Sequence, residues 1–374
     1  MNILLLSSDF YLPYRVLRCA AALGHKVYVL GGGSARRLAR SRYCAAYVEI
    51  EGGSVESLSL EQLAAVIGQT VSRFEIGMVL PSNHETTRLL VMLKGKLTVA
   101  IYPLPDFEKF NILNDKYSFG ALCQSLGIAH PHTVLMENVT DIRQALARGE
   151  LALPFVVKPV DLDAARGVKF IRNEDECRQL SEINYAPILV QAFIVGTDLD
   201  ATIFMKDGSA VIRQSYYREP KGIVFDQNFA LMNQCAAILE ALEVDGVFNF
   251  DARLETKTGN IYLIECNPRF FHSMDYAMIA GINYVEAGIG AVSTRRTPTT
   301  SLDSPIARPR RILWQLALGL RPSELDKRIL KHFLADPIPI LLYDSLHRVR
   351  NWWRKLFSNH RLVFKSRRVK PTNL

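Results

Sequence analysis

The segment 246–269 constrains this chain more than any other, because it brings three oxygen-bearing side chains together on two predicted strands. In its first half apolar and polar residues alternate, which places Asp251 on a polar face and Phe250 on the opposite face. After turn residues, the second half puts Glu265 and Asn267 on one face of the next strand. Two carboxylates and an amide oxygen favour a hard cation such as Mg²⁺. The segment predicts a β-hairpin with a metal site, or else an ordinary amphipathic hairpin with a solvated polar face.

Two lysines occur where a cation is unfavourable unless an anion is close. Lys116 follows Asn114 and Asp115, either of which can cap a helix, so it falls in a first turn whose dipole disfavours a cation. Lys158 ends the apolar run 153–157, which is typical of a buried strand, and burial of an unpaired ammonium is costly. Both positions are suited to binding an anion, while a solvated surface position is the alternative for Lys116.

These pieces, in this order, resemble the ATP-grasp superfamily over roughly residues 106–290. The resemblance rests on the helix lysine, the strand lysine, a strand that breaks at Gly196 before Asp198, and the sequence Glu-Cys-Asn-Pro-Arg that ends the hairpin. It is closest to the predicted carboligases of the superfamily. The loop 160–168 departs from the family pattern, because it has a single glycine where a Gly/Ser-rich loop is usual.

The resemblance assigns a role to each candidate residue. It implies that Lys116 and Lys158 contact nucleotide phosphate, that Arg166 clamps phosphate in the glycine-poor loop, and that Arg269 stabilises the transferred phosphoryl group or binds the carboxylate substrate. It implies adenine and ribose contacts from the linker, namely Gln191, Ala192, Ile194 and Asp198, with Asp200 as an alternative to Asp198. The metal ligands would be Asp251, Glu265 and Asn267, which would hold one or two Mg²⁺, or Mn²⁺, against ATP.

The activity that the resemblance implies is an ADP-forming carboxylate–amine ligase. Transfer of the γ-phosphoryl group to a carboxylate creates an acyl phosphate, whose phosphate can leave when an amine attacks; such transfer requires mainly positioning and charge stabilisation. The partners would be a small-molecule carboxylate and an amine. Cations available for an anionic substrate are Arg213, Arg218, Lys221 and Arg253, and a solvated basic loop is the alternative. Two other interpretations remain: a weakly active ATP-binding scaffold or sensor, and an enzyme whose product is phosphorylated or carboxylated.

The first hundred residues alternate between strand and helix patterns, which indicates a parallel α/β domain. Predicted strands are Ile3–Leu6, Lys26–Leu30, Tyr47–Ile50, Gly77–Leu80 and Thr98–Tyr102, with helices around Leu12–Leu23, Leu58–Phe74 and Glu85–Leu93. Gly31–Ser34 lacks the spacing of a dinucleotide site and is predicted to be a loop.

We therefore expect an α/β domain over 1–105 and a two-lobed ATP-grasp domain of α+β type over 106–295. Its small lobe would span about 106–190 and its metal-binding lobe about 191–295.

The C-terminal extension, 296–374, is basic and contains every tryptophan of the chain. Residues 307–374 hold sixteen Lys and Arg against four Asp and Glu, whereas the whole chain has a net charge of +8. Apolar residues recur at helical spacing from Leu342 to Leu356, which suggests peripheral contact with an anionic membrane through 342–370, or a helix packed on the catalytic domain. No nucleic-acid motif accompanies the charge. Scattered cysteines and the absence of a signal-like start predict a cytoplasmic protein, at most peripheral to the inner face of a membrane.

Overall fold

The computed structural model describes residues 1–50, 53–160, 167–290 and 305–343, which three β-sheets organise. The first sheet is parallel and consists of β1 (Asn2–Ser7), β2 (Lys26–Gly31), β3 (Cys44–Glu49), β4 (Ile76–Leu80) and β5 (Ala100–Ile101). Its order is β3-β2-β1-β4-β5. Helices α1 (Tyr11–Ala21), α2 (Leu60–Phe74) and α3 (His84–Leu93) and the 3₁₀ helices Gly33–Arg40 and Val55–Ser57 connect the strands. The predicted parallel α/β arrangement is confirmed.

Two details of this part differ from the prediction. The fifth strand is limited to Ala100–Ile101, and the predicted loop at Gly31–Ser34 is the end of β2 followed by a 3₁₀ helix. A Cβ on Gly31 would lie 2.6 Å from the Ser7 carbonyl oxygen, and Gly33 has a φ of +56°. These glycines serve close backbone approach and a left-handed turn rather than an open loop.

The second sheet is antiparallel and follows two helices, α4 (Phe107–Asn114) and α5 (Lys116–Ser125). Its strands are β6 (Thr133–Met136), β7 (Phe155–Pro159), β8 (Lys169–Ile171) and β9 (Ile188–Ala192), in the order β6-β9-β7-β8. Helix α6 (Val139–Ala147) and the 3₁₀ helix Glu174–Glu182 cover one face, where Ile142, Phe155 and Leu180 are fully buried.

The third sheet is antiparallel and carries the predicted hairpin. Its strands are β10 (Gly196–Lys206), β11 (Ser209–Glu219), β12 (Gly222–Asp226), β13 (Gly246–Glu255), β14 (Ile261–Asn267) and β15 (Ile306–Ala307), in the order β14-β13-β10-β11-β12-β15. Helices α5 and α7 (Phe229–Ala241) bury one face, where Phe248 and Phe250 have no exposed surface. The opposite face is left for the polar residues of the hairpin, as the alternation predicts.

A single core joins the first and third sheets. It contains Phe10, which directly precedes α1, Tyr14 from α1, Phe204 from β10, and residues of α8 (Met274–Ile279) and α9 (Tyr284–Ile289). Helices α10 (Pro309–Ala317) and α11 (Glu324–Leu334) extend this core through Ile312 and Ile329. The observed class is mixed α/β, with a parallel sheet followed by antiparallel sheets, as predicted.

Part of the C-terminal extension packs against the N-terminal part of the chain. Arg18 donates a hydrogen bond to the carbonyl of His332, and Ser41 Oγ lies 2.5 Å from Asp336 Oδ2. The amphipathic helix predicted from Leu342 onward, and the membrane contact predicted through 342–370, fall almost entirely on residues 344–370, outside the described residues. Among the described residues no helix has both the length and the apolar composition that crossing a bilayer requires.

Candidate functional site

Three carboxylates lie in a row across neighbouring strands of the third sheet. Asp251 of β13 pairs with Glu265 of β14 on one side and with Asp200 of β10 on the other. The register of β13 and β14 shifts beside Asp251, where Ile264 is an extra residue on β14. This bulge lets Leu263 point into the apolar core while Glu265 stays beside Asp251. Strand pairing thus creates a concentration of negative charge on the polar face.

The pKa values of these carboxyl groups reflect burial and the charges around them. Burial, the Glu265 carboxylate and the Asp200 carboxylate raise the pKa of Asp251 well above its ordinary value. For Glu265 burial acts in the same direction, but the charges of Lys158 and Lys116 outweigh it and lower the pKa. An added cation would therefore stabilise the ionised carboxylates of this row.

Lys116 reaches this row from the first turn of α5. Asp115 caps the helix by accepting a hydrogen bond from the Ser118 backbone N–H. The Lys116 side chain is 11 % exposed, and its Nζ lies 3.8 Å from Glu265 Oε2. A solvated surface position is thus excluded for this lysine, and Asp115, rather than Asn114, is the cap.

Lys158 is buried at the end of β7. Its Nζ donates a hydrogen bond of 2.9 Å to Gln191 Oε1. Burial lowers the pKa of Lys158 to about 8; the carboxylates of Glu265 and Asp251 favour its charged form, and Lys116 opposes it. Gln191 is only 3 % exposed, so its side chain supports the lysine. Gln191 was predicted as a linker contact, but the sequence did not reveal that Lys158 is its neighbour.

His130 and Thr133 hold the Gln191 amide from its other end. Gln191 Nε2 lies 2.9 Å from Thr133 Oγ1 and 3.3 Å from His130 Nε2. Burial and the nearby Lys158 charge lower the pKa of His130 to about 4, so its ring is neutral and its Nε2 can accept this hydrogen bond. Sequence reasoning missed both residues. The one signal was Gly120 inside α5, where a Cβ would lie 2.7 Å from His130 Cε1.

Asn249 is a further residue that the sequence analysis missed. Its Oδ1 accepts hydrogen bonds from Thr202 Oγ1 at 2.9 Å and Tyr216 Oη at 3.0 Å, and its Nδ2 donates to Asp251 Oδ1 at 3.3 Å. Asn249 is 6 % exposed. The alternation that places Asp251 on the polar face of β13 also places Asn249 there. The sequence pattern could therefore have identified Asn249. Asn249 orients the Asp251 carboxylate.

Arg269 lies beside the amide of the hairpin. Its Nη2 donates a hydrogen bond of 3.0 Å to Asn267 Oδ1, and Asn267 Nδ2 lies 3.5 Å from Glu265 Oε1. The arginine, the amide and the carboxylate are therefore coupled at the end of β14. The role of Arg269 at the reacting groups stays a prediction.

The strand break before Asp198 exists, but its neighbours differ from the prediction. The Ala192 backbone N–H is already bonded to the His132 carbonyl at 2.9 Å, which makes Ile194 the better candidate for a backbone contact. Asp198 Oδ1 lies 3.0 Å from Arg253 Nε, and the guanidinium stacks 4.7 Å from the Phe193 ring centre. Arg253 thus braces the linker, and its contact with a substrate carboxylate stays a prediction.

The other predicted substrate cations separate into three environments. Arg218 Nη1 lies 2.7 Å from Asp200 Oδ2, so Arg218 adjoins the acidic row, and the ribose contact of Asp200 stays a prediction. Lys221 is exposed at the turn between β11 and β12. Arg213 faces α7, where its guanidinium bonds Asn233 and Glu240, and its substrate role stays a prediction. Arg166 lies outside the described residues.

The donor set fits a magnesium ion that arrives with its own ligands. Within the described ranges, no three His, Cys, Asp or Glu side chains converge as a ready-made metal site. Mg²⁺ commonly binds one or two carboxylates and completes its shell with waters and substrate phosphates. Asp251, Glu265 and Asn267 supply that kind of oxygen set, and the raised pKa of Asp251 reports charge that a cation would offset. Nothing in this set selects Mn²⁺.

Comparison with known proteins agrees with these features. Residues 172–310 match the family described as ATP-grasp in the biosynthetic pathway with Ter operon. The chain is 25 % identical over 218 residues to D-aspartate ligase of Enterococcus faecium, which covers 49 % of this chain and 50 % of that protein. It is 25 % identical over 296 residues to the carbamoyl phosphate synthase large chain of Thermus thermophilus, which covers 76 % of this chain and 26 % of that protein. The chain therefore spans half or less of the length of these relatives.

A solved structure has the same fold. N5-carboxyaminoimidazole synthetase from Staphylococcus aureus, complexed with ADP, superposes with a TM-score of 0.62 at 16 % identity, covering 79 % of this chain and 78 % of that one. The ordered lysines, the carboxylate-bearing hairpin, the sheet topology and these matches together support one family, the ATP-grasp superfamily.

Proposed function

We propose that this protein is an ATP-dependent ligase that activates a carboxylate as an acyl phosphate and joins it to an amine. The observation that carries the proposal is the convergence of Lys116, Lys158, Glu265 and Asp251 from three separate parts of the chain. Lys116 Nζ is 3.8 Å from Glu265, and the carboxylates of Glu265 and Asp251 stabilise the charge of buried Lys158. Alternating positive and negative groups of this kind suit a polyphosphate that brings a divalent cation.

Each group has a defined task in this reaction. Lys116 and Lys158 would bind phosphate oxygens, while Asp251, Glu265 and Asn267 would hold Mg²⁺, which offsets phosphate charge when bound. Arg269, hydrogen-bonded to Asn267, lies where it can stabilise the phosphoryl group as it passes to the substrate carboxylate. The amine then attacks the acyl carbon and phosphate leaves. Burial of Lys158 and Gln191 shows that this end of the site limits contact with water.

The substrate carboxylate has one favoured partner among the cations named above. Arg218 adjoins Asp200 at 2.7 Å, and its side chain is 52 % exposed, so part of the guanidinium faces solvent. Arg253 is engaged with the linker, and Arg213 faces α7. We therefore propose Arg218 as the anchor for the acceptor carboxylate. D-aspartate ligase, a relative by sequence, names an amino acid as its substrate, so amino acids are the first class to test.

The proposal is tested by thermal shift and by ADP release. Wild type with Mg-ATP should show a clear stabilisation, about 2.7 kcal/mol at a hundredfold excess over Kd. Glu265→Gln should retain the fold and lose that stabilisation, because it removes an Mg²⁺ ligand and the partner of Lys116. Amino acids supplied in pairs should then stimulate ADP release by wild type only.

Glu137→Gln is the matched control, since it makes the same chemical change at an exposed position directly after β6. Normal ADP release by Glu265→Gln would refute the proposal. Nucleotide binding without ADP release for any carboxylate and amine pair would favour the scaffold or sensor alternative.

A further inference from the structure

Exposed apolar residues are concentrated in one segment of the described chain. Eighteen large hydrophobic residues are exposed among the described residues, and nine of them lie between residues 313 and 342. The other nine are scattered between residues 1 and 229. Single exposed apolar residues are ordinary, whereas a contiguous group marks an interaction surface.

The group includes the outer side of α10 and the residues that follow it. We call Leu313, Trp314, Leu316, Leu318 and Leu320 the α10 patch. Trp314 is 69 % exposed and Leu318 is 68 % exposed. Ile312 alone among the residues of α10 is buried. The helix therefore presents most of its apolar surface outward.

This exposure is held in place by the fold. Immediately before α10, Ile306 of β15 pairs with Ile223 of β12. Ile312 has no exposed surface and belongs to the core that the first and third sheets share. A helix anchored at both its entry and its inner side cannot turn the α10 patch inward without breaking these contacts.

Positive charge predominates around the patch, and the first acidic residues after it are Glu324 and Asp326 at the start of α11. Residues 305–323 contain four arginines and no aspartate or glutamate. Arg308, Arg311 and Arg321 are exposed. Two of these arginines flank the start of α10, where the helix dipole disfavours a cation, so the sequence keeps positive charge there without local electrostatic benefit.

We infer that the α10 patch is a docking surface for an anionic lipid membrane. Apolar side chains with a tryptophan would enter the interface, and the arginines would contact lipid headgroups. A second copy of this chain fits less well, because a two-fold contact would set one arginine rim against the other. The inference concerns a surface separate from the proposed catalytic groups and does not depend on their activity.

The position of α10 allows both functions together. Helix α10 follows β15 at one edge of the third sheet, whereas Glu265 lies on β14 at the opposite edge. A membrane bound at the β15 edge would leave the β14 edge open to nucleotide and substrates.

The test is flotation of the full chain with vesicles of phosphatidylcholine alone or with about one third phosphatidylserine. Wild type should bind the anionic vesicles, and raising the salt concentration should weaken binding because exposed charges are screened. Trp314→Ser combined with Leu318→Ser should reduce binding about tenfold or more, and Arg311→Gln combined with Arg321→Gln should reduce it on anionic vesicles only. Phe229→Ser is the control, since Phe229 is 58 % exposed on α7. Unchanged thermal unfolding would show that the variants are folded.

Three results would overturn the inference. The first is no vesicle binding by wild type. The second is full binding by the Trp314 and Leu318 variant with loss only on substitution of Arg354 and Lys355, which would assign binding to the tail. The third is a wild-type dimer that the Trp314 and Leu318 substitutions convert to a monomer, which would make a second copy the occupant.

Discussion

Lys158 and Gln191 share a buried hydrogen bond in which the ammonium Nζ donates to the amide Oε1 at 2.9 Å. The amide oxygen accepts a hydrogen bond from one N–H of the ammonium but carries no negative charge. The cost of burying the charged ammonium is therefore only partly offset, and the pKa of Lys158 falls to about 8. A bound phosphate would supply the missing charge, so the proposed nucleotide binding would relieve this cost.

Lys158→Met should remove that cost together with the function. A fall in pKa from 10.5 to about 8 corresponds to roughly 3 kcal/mol of differential stability between the protonation states. The folded pKa lies below the unfolded one, so the cost is present in full below pH 8 and disappears above about pH 10.5. At pH 7 the free energy of unfolding of the variant should therefore be no lower than that of wild type. Stabilisation of the variant by Mg-ATP should vanish.

Urea unfolding across pH 7–10.5 measures this effect, with wild type gaining stability relative to the variant as the pH rises. Lys257→Met, an exposed lysine in the hairpin turn, is the control and should show no such trend. A strongly destabilised Lys158→Met that still binds Mg-ATP would contradict the prediction.

Asp251→Asn separates charge repulsion from ligand binding. The Asp251 carboxyl lies between those of Glu265 and Asp200, and its pKa is raised for that reason as well as by burial. Asparagine keeps the shape and removes the repulsion, so the melting temperature without nucleotide should be equal or higher. Stabilisation by Mg-ATP should be lost. Thermal shift with Mg-ATP and with EDTA measures the melting temperature and the stabilisation by nucleotide. Asp226→Asn serves as an exposed control. An undiminished Mg-ATP shift in Asp251→Asn would argue against Asp251 as a ligand.

Gly120→Ala tests the support of Lys158 from a distance. Alanine usually stabilises a helix interior relative to glycine by about 0.5–1 kcal/mol. At Gly120, however, the new Cβ would lie 2.7 Å from His130 Cε1, and His130 holds Gln191. We expect a loss of about 1–3 kcal/mol, as in other overpacked sites, with weaker Mg-ATP binding.

Gly68→Ala provides the matched comparison, because Gly68 lies in α2 and a Cβ there meets nothing within 4 Å. It should stabilise the protein, and denaturant unfolding of the two variants should give opposite signs. If both substitutions stabilise, the contact between α5 and His130 is not restrictive.

Asp275→Asn should weaken the packing of the N-terminal part of the chain against the part that contains the third sheet. Asp275 is buried and pairs with Arg15 of α1. Burial raises its pKa, but Arg15 and His332 overcome that effect and lower the pKa to about 2. The folded pKa is below the unfolded value, so the stabilising contribution, about 2 kcal/mol, is present above pH 4 and is lost as the pH falls to 2.

The difference in unfolding free energy between wild type and Asp275→Asn should therefore shrink between pH 4 and pH 2. Glu49→Gln is the control, since its partner Arg36 is 68 % exposed and an exposed ion pair contributes little. A difference that stays constant with pH would exclude the ion pair as its source.

The local features of the site were predictable because they depend on neighbours in sequence. Alternation in β13 placed Asp251 on the polar face and Phe250 in the core, and the polar residue before α5 placed Lys116 in a first turn. The continuous apolar run Ile3–Leu6 predicted a strand, and these four residues are fully buried in β1, between β2 and β4. Periods of two or 3.6 residues fix such faces before any long-range contact forms.

The sequence by itself determined which elements form and which faces carry charge. Only the tertiary structure decided which charges meet. Nothing in the sequence pattern linked Arg253 to Asp198, and the pairing of β10 and β13 sets the two side by side. Asp200 and Arg218 were separate candidates until pairing of β10 and β11 made them partners. His130 acts on Lys158 through Gln191, which lies 61 residues away in the chain. Sequence patterns encode the face on which a side chain lies, whereas its partner depends on strand register and on how separate sheets pack.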